Sequence, residues 1–268
     1  MSELRLTLRS QSPKATGWAG WLVTDEEAEW PVSETALIAV DVWDNHWSRG
    51  AAERVSALAP RIDATIRAAR DRGVLIIHAP SDVVSFYGGH PAREKALAVP
   101  RLELPELSPH DDPPLPIDDS DGGSDTGEPS WYHAWSRQHP AVEIRDDDLI
   151  SADGAEVYSI LRASGIRHVL VCGVHTNMCI INRPFAIKRL VRWGFDVALL
   201  RDLTDAMYNP LKRPYVSHAE GTRLVIEYIE KFWCPTTTSD DITRYPTAAT
   251  ALTSDPPEPS IRTGNEKR

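Results

Sequence analysis

Residues 167–179 read Arg-His-Val-Leu-Val-Cys-Gly-Val-His-Thr-Asn-Met-Cys. The first half is a short apolar run, the pattern of a strand buried on both faces. The second half ends on Cys179, and residues 179–193 read as a helix closed by Gly194. Strand, turn and helix follow in that order, and the same alternation recurs on either side. Residues 35–41 (TALIAVD) are a first strand and 74–78 (VLIIH) a second. Residues 142–145 are a third, 167–172 the fourth and 195–200 a fifth. Helices are expected at 52–70, 154–164, 179–193 and 218–232, with Pro60 marking a break or kink in the first. Such alternation predicts an α/β fold: a single doubly wound, mostly parallel sheet of about six strands with helices on both faces. In sheets of this kind chemistry gathers at the carboxyl ends of the strands, where the strand order reverses.

The chain has 268 residues, 41% of them hydrophobic and 25% charged, and can bury a core without a disulfide or metal staple. Its three cysteines, Cys172, Cys179 and Cys234, are too few for a disulfide framework. No apolar stretch is long enough for a membrane span, and the first residues lack the apolar region of a signal peptide. A cytoplasmic protein without membrane contact is expected. The net charge of −10 argues against a nucleic-acid partner. Much of that charge sits in residues 105–130, which hold eight acidic residues, six prolines and no Lys or Arg. This segment reads as a long surface insertion, mobile or draped over the body, and serving as a lid or a plain linker. Three parts follow: an N-terminal extension at 1–34 that packs through Trp18, Trp21 and Trp30, a body at 35–234 carrying the insertion, and a peripheral tail at 235–268.

Two residues at the strand ends carry the chemistry. Cys179 lies at the start of a helix, where unpaired N–H groups and the macrodipole favour a thiolate and suit an oxyanion. The plainer reading is a buried cysteine packing as a small apolar side chain. Asp41 closes the first strand, either as a turn aspartate or as a general base toward a thiol and an acid toward a leaving amine. Arg183, four residues after Cys179, is placed to hold a substrate carboxylate or to pair with one of the chain's acids. Trp43, His46, Tyr87, His175 and Asn177 are candidate walls of a pocket, or simply core packing. An aromatic lining suits a planar or ring-bearing small molecule.

The strand ending in Asp41 and the Gly-Val-x-Thr-Asn-x-Cys element at 173–179 resemble the isochorismatase-like cysteine hydrolases. RDLTDAMYNP at 201–210 and SHAEGTRLVIEYIEK at 217–231 extend the resemblance over about residues 35–233, apart from the insertion. The resemblance implies that the first and fourth strands are neighbours, so that Asp41 and Cys179 face one pocket. It also implies a cis peptide at Val174–His175, with the N–H groups of His175 and Cys179 at the oxyanion hole. A cysteine at this place points to the amidase side of the superfamily: attack on an amide carbonyl, loss of ammonia or amine, and hydrolysis of a thioester. A homo-oligomer acting on a small-molecule substrate is implied, with no cofactor expected. Some nicotinamidases hold a divalent metal through an Asp-x-His element. Asp44 and His46 have that spacing, and with His78 they would be the ligands, zinc first, if a metal bound. Pocket polarity is the other reading of these residues.

One departure bears on activity. The family carries a lysine just after the third strand, whereas here residues 143–149 read EIRDDDL, and no lysine lies between Lys95 and Lys188. Arg145 is the nearest cation and the candidate replacement. If Asp146, Asp147 or Asp148 points inward instead, a second carboxylate beside Asp41 disfavours the thiolate. Two further functions are thereby left open: a binding or regulatory protein without turnover, and hydrolysis driven by Asp41 without a covalent step.

Overall fold

The strand Thr35–Val40 (β3) is buried along its whole length. Its side chains alternate between two cores: Leu37 and Ala39 point into one, and Ala36, Ile38 and Val40 into the other. A strand with two apolar faces must be covered on both sides, and it is. A computed structural model describes residues 3–15, 20–128 and 132–244. Trp18, the last residues of the acidic segment and the tail from 245 onward lie outside the described residues.

Eight strands form one sheet. In chain order they are β1 (Glu3–Pro13), β2 (Trp21–Pro31), β3, β4 (Leu75–Ala79), β5 (Leu149–Ile150), β6 (His168–Val174), β7 (Asp196–Asp205) and β8 (Thr236–Thr237). Across the sheet the order is β2-β1-β8-β7-β6-β3-β4-β5. The strands β3 to β8 run parallel, and β1 joins β8 antiparallel, with β2 antiparallel beside it. The sheet is therefore larger than the six strands expected. The N-terminal residues supply a hairpin of two long strands, and β8 comes from residues read as tail. The order reverses between β3 and β6, which pair from Thr35 with His168 to Val40 with Gly173. Asp41 and the turn leading to Cys179 leave the sheet side by side at that switch point.

Helix α1 (Arg49–Asp71) covers one face, packing Val55, Ile62 and Ile66 against Leu170, Ala198 and Leu200. It runs unbroken through Pro60, against the expected interruption. The other face is covered by α3 (Gly154–Ala163), α5 (Ile187–Arg192) and α6 (His218–Phe232). The short helices are α2 (Pro91–Ala98), α4 (Cys179–Asn182) and α7 (Asp240–Thr243). Residues 142–145 form no strand. The third parallel strand is the two-residue β5, a few positions later. The helix expected over 179–193 is two helices, broken at Arg183–Ala186, where Pro184 stands.

Over its described residues, 105–128, the acidic segment has no helix or strand and drapes over the body. Lys188 and Tyr228 hold Asp112, Asn177 holds Asp119, and Asn209 holds Asp121. Arg54 of α1 makes two hydrogen bonds to Asp125 and a third to Asp205 at the end of β7. Among the described residues no helix is long and apolar enough to cross a membrane.

Candidate active site

Asp41 is the first residue past β3 and is completely buried. Its backbone turns into the left-handed region (φ 50°), which aspartate tolerates better than most residues. That turn aims the carboxylate across the strand ends. Oδ1 accepts the Ser81 N–H at 2.7 Å and Oδ2 accepts Nε–H of Arg183 at 2.8 Å. Cys179 lies near enough to the same carboxylate for each group to shift the other's proton affinity.

Gly173 explains how the cysteine reaches it. Its φ is +113°, and a Cβ there would stand 2.0 Å from the Val40 carbonyl oxygen. Only glycine lets the end of β6 lie this close to the end of β3. The next peptide, Val174–His175, is cis. The N–H groups of Met178 and Ile180 both donate to the His175 carbonyl, and that of Thr176 donates to Asp205 O. The His175 backbone lies close enough to Cys179 to lower its thiol slightly against the larger effect of burial.

The cation beside Asp41 is Arg183. Arg145 stands elsewhere: its side chain is 42% exposed and pairs with Glu143 and Asp71. It lines a separate cavity with Val32, Gly73 and Val74, at the opposite end of the strands from Asp41. None of the three acids after it approaches the cysteine either. Asp148 is buried against Arg70 and His78, which hold it down at about 2 against the cost of burial. Asp147 is exposed and pairs with Lys95. Arg183 reaches Asp41 because the chain leaves α4 there, and its guanidinium also pairs with Asp82 and lies 5.8 Å over the Trp43 ring. Of its two expected partners, the one observed is an acid of the chain.

Burial sets the protonation of the pair. It pushes the Asp41 carboxyl up, against the opposing effects of Arg183, Cys179 and Ser81. It also pushes the Cys179 thiol up, reinforced by the Asp41 charge and opposed by Arg183 and the His175 N–H. The net direction is opposite to the lowering expected at a helix N-terminus. The helix beginning at Cys179 has four residues, too few to build a macrodipole that outweighs burial beside a carboxylate. Burial thus favours the protonated form of both groups, and Arg183 favours the charged form of both.

Cys179 opens on a cavity of about 380 Å³ walled by Trp43, His46, Trp47, Trp135 and His175. Trp43 and Trp135 stack at 4.1 Å, and Trp43 donates its indole N–H to Ser81 O. Gly122 brings the acidic segment into the wall, beneath the Trp47 ring. Sequence reading missed Trp47, Trp135 and Gly122. Trp47 follows β3 closely enough to be suspected, but nothing in the pattern of residues 120–136 marks the other two.

The other candidates have different surroundings. The Asn177 amide is engaged by Asp119 and by the Met207 backbone on both sides, and the residue lines a neighbouring groove. Tyr87 accepts the Gln138 N–H away from the cavity. Asp44 holds the backbone of Ser136 and Arg137, while His78 bonds Gln138 and Asp148. Asp44, His46 and His78 therefore do not converge. Among the described residues no group of three His, Cys, Asp or Glu is placed to hold a metal ion.

No family model matches the sequence, and no curated protein matches it. Solved structures do match. A cysteine hydrolase from Pseudomonas syringae pv. phaseolicola aligns over 80% of this chain and 92% of its own, with 20% identity and a TM-score of 0.51. An isochorismatase family protein from Burkholderia thailandensis aligns over 79% and 95%, with 15% identity and a TM-score of 0.47. An isochorismatase-like hydrolase from Alkaliphilus metalliredigens aligns over 80% and 97%, with 14% identity and a TM-score of 0.47. With its six parallel strands in this order and its covering helices, the chain has the isochorismatase-like fold.

Proposed function

We propose that this protein is a cysteine-dependent hydrolase of a small amide, with Cys179 as nucleophile, Asp41 as general base and acid, and Arg183 as the cation that holds the base. The observation that supports this reading is that Cys179 and Arg183 line one cavity while Arg183 pairs with the buried Asp41 behind it, whose charge acts on Cys179. A carboxylate buried beside a thiol is costly unless paired, and Arg183 pairs it.

The reaction runs as two acyl transfers. Asp41 takes the thiol proton as sulfur attacks the amide carbonyl, so no standing thiolate is needed. The carbonyl oxygen becomes negative, and the N–H groups of His175 and Cys179 are the proposed donors to it. Collapse breaks the C–N bond, and Asp41 returns the proton to the departing nitrogen. Water then attacks the thioester and gives a proton to Asp41, and that proton goes back to sulfur as the acid leaves. Arg183 opposes the effect of burial on Asp41 and so favours its charged form between proton transfers. It does so from the residue just past the cysteine's short helix, in place of the lysine after the third strand that the family resemblance implies.

Hydrolysis of a panel of primary aromatic and aliphatic amides by the wild type, Cys179→Ala and Asp41→Asn tests this. Ammonia release is expected from the wild type alone. Equal turnover by Cys179→Ala refutes the nucleophile, and loss confined to Asp41→Asn selects an aspartate-driven, non-covalent reaction instead.

A further inference from the structure

His218 opens α6 with an acceptor against each of its ring nitrogens. Nδ1 lies 2.9 Å from the Tyr208 carbonyl oxygen, and Nε2 lies 3.0 Å from Oδ1 of Asp205. A second carboxylate, Asp125, stands 3.6 Å from the same Nδ1. Carbonyl and carboxylate oxygens only accept, so each contact needs a proton on its nitrogen, and a neutral ring has one proton for the two. Asp205 could donate only as the acid. Burial raises its carboxyl, but the bond from His218 and the Arg54 charge bring it below the ordinary value. The imidazolium alone satisfies both contacts.

The charged groups around His218 come from three other parts of the chain. Asp205 ends β7, Asp125 belongs to the acidic segment, and Arg54 of α1 bonds both. His175, after β6, is within electrostatic reach and uncharged, since burial, with His46 next, lowers it to about 3. Two cations then answer two carboxylates in largely buried surroundings. Burial and the Arg54 charge oppose the second proton on His218, as does its place at the N-terminus of α6. The bond and charge of Asp205 outweigh them, and the ring holds that proton above the ordinary 6.5.

Loss of the Nδ1 proton turns two attractions into repulsions at once. The bare lone pair then faces the Tyr208 carbonyl and the Asp125 carboxylate. Both adjoin the cavity wall. Asp125 follows Gly122 by three positions and Tyr208 follows Met207, and Gly122 and Met207 line the cavity beside Cys179. Between them, Gly123 packs directly on the Met207 carbonyl. We propose that doubly protonated His218 is a latch holding the acidic segment against the loop after β7, and that losing one proton releases the segment and opens this side of the cavity. The attachment is present in full below the ordinary value of 6.5 and is lost as pH rises through the raised value of the folded state. The latch stands independently of the hydrolase reading.

Hydrogen–deuterium exchange of the wild type between about pH 6 and about pH 9 tests the latch. The reporter is residues 118–128, where the N–H groups of Asp118, Gly122, Gly123 and Thr126 are hydrogen-bonded. After correction for the base-catalysed intrinsic rate, opening of this segment should rise by up to about tenfold per pH unit above 6.5 and level off once His218 has titrated. Peptides of β3 should show no such rise. In His218→Gln the corrected opening should be independent of pH over this range. Nitrogen-labelled histidine should show both ring nitrogens of His218 protonated at about pH 6, with a titration midpoint that matches the exchange. Should His218→Gln fail to fold, as read by circular dichroism, Asp125→Asn takes its place and should shrink the rise. Constant opening in the wild type, a rise of full size in the variant, an equal rise in β3, or one bare ring nitrogen at the acid end of the range overturns the proposal.

Discussion

At Asp41 the burial of a carboxylate and its attachment to Arg183 oppose each other, and burial wins. The base loses its charge when pH falls through a carboxyl value raised above the ordinary 3.8. The acid limb of kcat/KM should therefore lie above the usual aspartate range. Because Arg183 lowers the Asp41 value, Arg183→Gln should move this limb upward by about one pH unit and reduce kcat. A limb that stays in place in Arg183→Gln would remove Arg183 from the mechanism. The raised thiol makes a separate demand. Alkylation of Cys179 by iodoacetamide should accelerate only well above the free-cysteine value of ~8.5, and in Asp41→Asn it should accelerate at lower pH. Sequence position suggested the reverse, a thiolate stabilised by a helix terminus. A four-residue helix and a carboxylate 138 positions earlier in the chain work against that expectation.

Among the elements, the approach of β6 to β3 makes the site, and Gly173 permits it. Gly173→Ala places a methyl group against the Val40 carbonyl and should cost about 3 kcal/mol or more, measured as a lowered Tm with loss of activity. Gly165→Ala is the control. It also has positive φ (+69°) but nothing within 4 Å of its added Cβ, so its cost should stay near 1 kcal/mol. Equal costs would mean that strand proximity is not what the glycine provides. The strands around Asp41 and Cys179 were legible because each is a short apolar run between turn residues. The third parallel strand was not, since two residues of β5 carry no periodicity. The hairpin β1–β2 was hidden by its composition: Trp21–Pro31 carries Asp25, Glu26, Glu27 and Glu29, charges suited to the open edge of a sheet. The spacing of Arg183 from Cys179 was legible, but its partner could be assigned only once the break at Arg183–Ala186 and the turn at Asp41 were seen together.

At the scale of the molecule, the acidic segment is part of the pocket wall. Its prolines and like charges prevent a core of its own, so it is held by bonds to the body, with Arg54 gripping Asp125 and Asp205 at once. Gly123 fixes the closest approach, where a Cβ would meet the Met207 carbonyl at 2.3 Å. Loosening this attachment should weaken substrate binding more than chemistry. Asp125→Asn is expected to raise KM by roughly 3–10-fold, the loss of a partly buried charge pair, and to leave kcat within about twofold. A fall in kcat at constant KM would show that the segment acts on the reacting groups and not on the wall. Nothing in the composition of residues 105–130 distinguished a wall from a linker. The distinction lies in partners such as Arg54, Asn177 and Lys188, which are remote in sequence.

The central claim is a covalent bond between substrate and Cys179. Rapid acid quench of the wild type during turnover of an amide, followed by peptide mass spectrometry, reads it directly. The account expects the peptide containing Cys179 to gain the mass of the acyl group, with Cys172 and Cys234 unmodified. Turnover without any such adduct, and undiminished in Cys179→Ala, would contradict it.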